Sequence, residues 1–119
     1  MNADITAARH NLETFEREEQ ITISEEVRQR LIHSESARTD LSAYNRHIGT
    51  IEFYEKHIPQ QMNRLHGCLN WCRFENIWSI SPRAQELIQG LSRNYEELEE
   101  ARSKAQFLRD QILLYIEQQ

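Results

Sequence analysis

Apolar residues recur through the middle of the chain at alternating steps of four and three. With Glu55 as the one polar lapse, the stripe comprises Ala37, Leu41, Tyr44, Ile48, Ile51, Ile58, Met62, Leu65, Leu69 and Cys72. This spacing places the residues on one side of an α-helix, which turns once every ~3.6 residues. Such a stripe needs a partner helix to cover it.

A second stripe with the same spacing lies further along the chain. It comprises Ala84, Leu87, Leu91, Asn94, Leu98, Ala101, Ala105, Leu108, Ile112 and Tyr115. Ser81-Pro82 precedes it, and a proline directly after a capping serine is a common helix start. The two stripes therefore predict an all-α fold built on a long antiparallel helical hairpin that resembles a coiled coil.

A shorter amphipathic segment lies near the N-terminus. Its apolar residues, spaced by three, four and three, are Ile5, Ala8, Leu12 and Phe15. Further on, either Thr22 with Glu25 or Ser24 alone caps the next helix. We predict helices over about residues 4–19, 24–75 and 82–117, within a single helical domain over residues 1–119.

The predicted second helix contains Pro59, which cannot donate a backbone hydrogen bond and clashes with the preceding turn. The apolar spacing continues on both sides of the proline, which favours a kink in one helix. A break between Tyr54 and Gln60 is the alternative, and the sequence leaves both open.

The N-terminal helix is too short to cover both long helices. We expect it to dock as a three-helix bundle on the polar start of the second helix and on the end of the third. The residues expected to line that end are Leu108, Ile112, Leu113 and Ile116. The remaining hairpin face, from Tyr44 to Leu69, is then covered by only one other helix. This predicts a homodimer or a complex with another protein.

Composition and charge narrow the class of protein. The 119 residues carry a net charge of −5, and the mean hydropathy is −0.76. An acidic chain does not suit direct nucleic-acid binding, which needs a basic face. The sequence contains no secretory signal and no apolar run long enough to span a membrane. Two cysteines without a signal sequence suggest free thiols, so we expect a cytoplasmic protein.

The segment between the two long helices is rich in large apolar side chains. Trp71, Phe74, Ile77, Trp78 and Ile80 fall within ten residues. One interpretation is a recognition knob for a partner protein, since tryptophan often anchors interfaces. The other is a small local core that closes the open end of the hairpin.

An acidic run follows on the third helix, formed by Glu96, Glu97, Glu99 and Glu100. One interpretation is a solvated helix face. The other is an anionic strip that meets a basic groove on a partner, as a mimic of nucleic-acid phosphates would do. Neighbouring basic residues weaken the mimicry interpretation.

No residue pattern predicts catalysis or a cofactor. His66, Cys68 and Cys72 are the nearest approach to a metal-ligand cluster, but a structural zinc site needs four ligands and no second pair exists. We expect two buried thiols instead, with no metal and no cofactor. The sequence also contains no phosphate-binding loop and no nucleotide fingerprint.

Two functional hypotheses follow from these patterns. The first is a non-enzymatic helical interaction module, such as an adaptor, chaperone or assembly subunit, that binds a partner through the uncovered hairpin face and the aromatic segment. The second is a small acidic inhibitor of a nucleic-acid-handling enzyme, of the kind that phages and mobile elements encode. No motif in the chain resembles that of a particular family.

Overall fold

The computed structural model describes residues 3–74 and 81–118, and the side chains of residues 72–74 lie outside this description. The described part contains four α-helices and no strand. They are α1 (Ala3–Glu19), α2 (Glu25–Ile32), α3 (Glu35–Phe74) and α4 (Pro82–Glu117). The predicted all-α fold is confirmed, as is the docking of the N-terminal helix on the long helices.

The predicted second helix, over residues 24–75, is in fact two helices. Ser24 begins α2 and accepts a hydrogen bond from the amide of Val27 at 3.3 Å. Ser34 then restarts the chain as α3, where its hydroxyl oxygen accepts from the amide of Ala37 at 3.3 Å. The chain turns between Ile32 and Glu35, and the last two residues of α2, Leu31 and Ile32, are both buried in the core of unit 1.

Pro59 does not interrupt the fold. Helix α3 continues across it, so the alternative of a break between Tyr54 and Gln60 is wrong. Proline removes the hydrogen bond that would reach the carbonyl of Glu55. Glu55 and Pro59 are both exposed, so water can satisfy that carbonyl.

The chain divides into two compact units, here called unit 1 and unit 2. Unit 1 combines Met1–Gly49 with Arg102–Gln119, and unit 2 is Thr50–Ala101. Helices α3 and α4 contribute to both.

Unit 1 contains the larger hydrophobic core. Its ten buried members are Ala8, Leu12, Phe15, Ile23, Leu31, Ile32, Ala37, Leu41, Tyr44 and Ile112. The rings of Phe15 and Tyr44 meet edge to face, with centroids 5.0 Å apart. As predicted, the end of α4 lines this core, with Leu108, Leu113 and Ile116 packed around Ile112. The hairpin face expected to be open is therefore covered at Tyr44.

Polar contacts fix the short helices of unit 1. Arg28 of α2 forms an ion pair with Glu16 of α1, with 2.7 Å between nitrogen and oxygen. Arg30 of α2 donates to the carbonyl of Tyr115 in α4 at 2.6 Å. Because α2 has only eight residues, it is marginal alone and depends on such tertiary contacts.

Glu19, at the end of α1, links three helices of unit 1. One carboxylate oxygen accepts from the Tyr44 hydroxyl of α3 at 3.0 Å, and the other accepts from Nε of Arg109 in α4 at 2.6 Å. Burial, followed by this hydrogen bond, raises the pKa of Tyr44 well above its usual range. The phenol therefore stays protonated and donating in the folded protein.

The raised pKa of Tyr44 predicts a loss of stability at alkaline pH. Above a pH of about 10, the unfolded phenol releases its proton while the folded one keeps it, so the free energy of unfolding falls as pH rises. We expect Tyr44 to account for a loss of roughly 1.4 kcal/mol between pH 9 and 11. Urea unfolding at both pH values measures the total loss. In Tyr44→Phe, the share of that loss due to Tyr44 should be absent.

Tyr95→Phe is the control for this prediction, because it removes a phenol that is 43% exposed. This variant should keep the full alkaline loss of the original protein. An equal loss in Tyr44→Phe and in the original protein would contradict the assignment.

Unit 2 is a two-helix hairpin. Asn94 of α4 donates to Gln61 of α3 at 2.7 Å, and Cys68 lies 3.6 Å from the Ser81 hydroxyl. Residue numbers rise along α3 as they fall along α4, so the helices are antiparallel. Among the described residues its hydrophobic cluster has three buried members, Ile58, Leu91 and Leu98. Unit 2 therefore has a much smaller core than unit 1.

Candidate protein-binding site

One side of unit 2 carries large apolar side chains that its two helices leave partly uncovered. This surface, here called the open side, consists of Met62, Leu69, Ile88 and Tyr95. Met62 and Leu69 are seven residues apart on α3, and so are Ile88 and Tyr95 on α4, so each pair lies on one helix face. The Tyr95 hydroxyl lies 3.6 Å from the sulfur of Met62, which joins the two faces.

What distinguishes the open side is that partly exposed apolar side chains of both helices lie together on it. Leu69 is 38% exposed, Ile88 37% and Tyr95 43%, while Met62 is partly buried. Leu69 lies at the end of the hairpin face, from Tyr44 to Leu69, that the sequence predicts to be covered by only one other helix. The second stripe did not include Ile88 or Tyr95. Sequence spacing finds the seam of a hairpin, but it does not show how far beyond the seam the apolar surface extends.

The opposite side of unit 2 is polar. There Asn94 is bonded to Gln61, Cys68 contacts Ser81, and the Tyr54 hydroxyl donates to the carboxylate of Glu97. These groups satisfy one another within the hairpin. On one side of unit 2, therefore, polar groups bond to one another. On the open side, apolar side chains remain partly exposed.

The described part of the predicted aromatic segment is Trp71, with the end of α3 at Phe74. Trp71 is 57% exposed. The side chain of Phe74 and all of Ile77, Trp78 and Ile80 lie outside the described residues. Both interpretations of this segment, the recognition knob and the local core, therefore stay predictions.

Trp71 faces away from the open side. It is 18 residues from Phe53, which amounts to about five helical turns, so both lie along one line of α3. Phe53 is 58% exposed and stacks on His57 with ring centroids 5.3 Å apart. The exposed aromatic line and the open side are separate surfaces.

The four glutamates of the acidic run are all exposed on α4. Glu97 accepts the hydrogen bond from Tyr54, which raises the pKa of that phenol. Glu99 and Glu100 also have interaction partners within the chain. Tyr54 marks the part of α3 that lies beside this run. It is 17 residues from Trp71, which corresponds to about 25 Å along the helix. The structure therefore does not bring the acidic run close to Trp71, the described side chain of the aromatic segment.

The described residues offer little for metal chemistry. They contain no group of three or more His, Cys, Asp or Glu side chains placed to hold a metal ion. Cys68 is a free, partly buried thiol beside Ser81, and His66 is exposed. Within the same residues, no helix has the length and apolar character needed to cross a membrane.

Surface clefts that sequence spacing did not indicate lie among the described residues of unit 1, and two of them adjoin α3. The first, of about 430 Å³, lies between α1 and α3. Its polar lining residues are Asp4, Asn11, Glu35, Arg38, Thr39, Ser42 and Arg46. The second, of about 410 Å³, lies between α3 and α4 and includes His47, Lys104 and the exposed ring of Phe107. The first combines both signs of charge and the second is mainly apolar, so neither defines a catalytic constellation.

Comparison with protein-family models, with curated proteins and with solved structures finds no match for this chain. The fold defines a class, the all-α proteins, with a helical bundle in unit 1 and a two-helix hairpin in unit 2. Function has to be argued from the surfaces described above, because a fold alone does not imply one.

Proposed function

We propose that this protein is a non-enzymatic helical interaction module, an adaptor, chaperone or assembly subunit, which binds a partner protein chain through the open side of unit 2. The observation that carries the proposal is the exposure of Leu69, Ile88 and Tyr95 on one side of a two-helix hairpin. Contiguous apolar surface of this kind marks interaction sites in soluble proteins.

Covering the open side would contribute to the binding of a partner. Burial of a large apolar side chain contributes roughly 1.5–3 kcal/mol. The open side leaves about two-fifths of three such side chains in water, so a covering surface would gain roughly 2–4 kcal/mol from them. Other contacts must supply the rest of the binding free energy, since association itself is costly.

The exposed line of Phe53 and Trp71 on α3 supplies a second contact for the same partner or for another one. The exposure of Trp71 supports the recognition-knob interpretation of the aromatic segment. We place the protein in the cytoplasm, where reducing conditions keep Cys68 as a thiol. The proposed role requires no cofactor.

A second candidate function is inhibition of a nucleic-acid-handling enzyme by the exposed acidic run. The exposure of Glu96, Glu97, Glu99 and Glu100 supports it. Their partners within the chain weaken it, because engaged carboxylates are poorer mimics of phosphates. Binding through this run should fall steeply between about 0.1 and 1 M salt, while binding through the open side should persist.

Site-specific photo-crosslinking tests the proposal. A photoreactive phenylalanine is placed at position 69 or 88 of the full chain, in the cells that express it, and the adducts are identified by mass spectrometry. The matched controls are positions 60 and 89, which are exposed glutamines on the same helices and face away from the open side. We expect protein adducts from 69 and 88 only. Equal yields at all four positions, or none, would overturn the proposal.

A further inference from the structure

We infer that the partner covering the open side is a second copy of this chain, bound antiparallel so that the turn end of one unit 2 lies against the entry end of the other. The turn end is residues 60–71 with 81–93, and the entry end is residues 50–59 with 94–101. This inference rests on the proposed function, since it names the occupant of the same surface. The product would be a four-helix unit with a two-fold axis.

The distribution of charge along unit 2 supports self-association in this orientation. The entry end contains six glutamates and one lysine, a net charge of −5. The turn end contains three arginines and one glutamate, a net charge of +2. Each end therefore complements the opposite end of another copy. A parallel arrangement would place the two strongly acidic ends together.

The residues nearest to the open side are acidic at the entry end and not at the turn end. Glu55 lies seven residues before Met62, and Glu99 lies four residues after Tyr95, so both continue the open side at the entry end. Towards the turn end the neighbouring positions are Gln85, Ser92 and His66, none of them acidic. An antiparallel copy places the two glutamates opposite these residues. A parallel copy places them opposite their own equivalents, where like charges repel.

The shape of the open side suits a two-fold contact. Met62 and Tyr95 form one level of it, and Leu69 with Ile88 form a second level about 10 Å along the helices. A two-fold axis that passes between the two levels places Met62 and Tyr95 of each copy on Leu69 and Ile88 of the other. Each tyrosine ring then packs on the aliphatic pair of the other copy, and all four side chains of both copies become covered. One patch can therefore serve both subunits, as a two-fold interface requires.

The mass of the protein in solution tests whether a second copy of the chain covers the open side. Light scattering and sedimentation equilibrium over a concentration series should show a dimer of the full chain. Ile88→Glu places a carboxylate within the interface and should raise the dimer dissociation constant by about 100-fold or more. Gln89→Glu adds the same charge at the neighbouring exposed position and should change the constant by less than about threefold. Circular dichroism checks that both variants keep their helix content.

Mixed crosslinking tests the orientation. Two variants, Gln85→Cys and Glu99→Cys, are prepared in a background with Cys68→Ser and Cys72→Ser, then mixed and oxidised. Positions 85 and 99 flank the open side at opposite ends, so the antiparallel dimer brings 85 of one copy near 99 of the other. We expect the mixed product to dominate. Dominant products that join two copies at 99 would overturn the antiparallel orientation.

The outcomes separate the inference from the function on which it rests. A protein that stays monomeric, but whose positions 69 and 88 crosslink to a different protein, contradicts self-association and leaves the interaction module intact. A dimer that Ile88→Glu does not weaken contradicts the assigned surface. A monomer without adducts at either position overturns both.

Discussion

Phe15→Ala is expected to lower the free energy of unfolding of unit 1 by about 3–5 kcal/mol. The Phe15 side chain is 0% exposed and lies at the centre of the ten-residue core. Alanine would leave a cavity between α1 and α3 and remove the edge-to-face contact with Tyr44, whose ring centroid is 5.0 Å away. The cost is large because α1 is attached to the bundle mainly through this core. Local unfolding of α1 is therefore the expected first consequence.

Phe53→Ala is the matched control, because it makes the same chemical change at a side chain that is 58% exposed. Its expected cost is below about 0.5 kcal/mol, as for most surface substitutions. Urea unfolding followed by circular dichroism gives the total change. Amide hydrogen exchange reports directly on the unfolding of α1. Tryptophan fluorescence would not, because both tryptophans, Trp71 and Trp78, fall within the sequence of unit 2. Equal costs for the two variants would show that Phe15 is not a core anchor.

The helical class of this protein follows from its apolar spacing. The predicted range 82–117 coincides with α4 (Pro82–Glu117), because Ser81-Pro82 is a strong local start signal. The Ser81 hydroxyl indeed accepts a hydrogen bond from the amide of Ala84 at 3.1 Å. Capping of this kind involves residues three apart in the chain, so a sequence can reveal it.

Competing local signals explain the error in the second helix. Proline is a stronger local signal for a helix break than serine, yet α3 continues through Pro59. Ser34 is the weaker signal, yet the chain turns there, with Ser34 capping the start of α3 and with Leu31 and Ile32 buried at the end of α2. The relative strength of the two local signals therefore does not identify the position of the turn.

The candidate site was only partly visible in the sequence for a related reason. Apolar spacing assigned Met62 and Leu69 to a seam, but the seam of a two-helix hairpin is too narrow to cover every member of such a stripe. Ile88 and Tyr95 lie beside the second stripe and join the surface only because Tyr95 reaches Met62. A contact between residues 33 positions apart depends on the register of two helices, which the spacing within each one leaves undetermined.

Glu19→Ala is expected to lower the free energy of unfolding of unit 1 by about 2–3 kcal/mol. Its carboxylate accepts hydrogen bonds from Tyr44 at 3.0 Å and from Arg109 at 2.6 Å. Loss of the carboxylate leaves the buried Tyr44 hydroxyl without its acceptor, which costs roughly 1–3 kcal/mol. The Arg109 side chain is partly exposed, so water replaces much of the lost ion pair and its share is small. Urea unfolding of the variant and the original protein measures the sum.

Three further variants separate these contributions. Glu18→Ala removes the same charge at an exposed neighbour and should change stability by less than about 0.5 kcal/mol. Glu19→Gln keeps an oxygen acceptor for Tyr44 and should recover about half of the loss. In the double variant with Tyr44→Phe, Glu19→Ala should cost less than it does alone, because no buried donor is left unsatisfied. Strict additivity of the two changes would mean that the Tyr44 hydroxyl does not depend on Glu19, and that the link between α1 and α3 is made by packing of Phe15 alone.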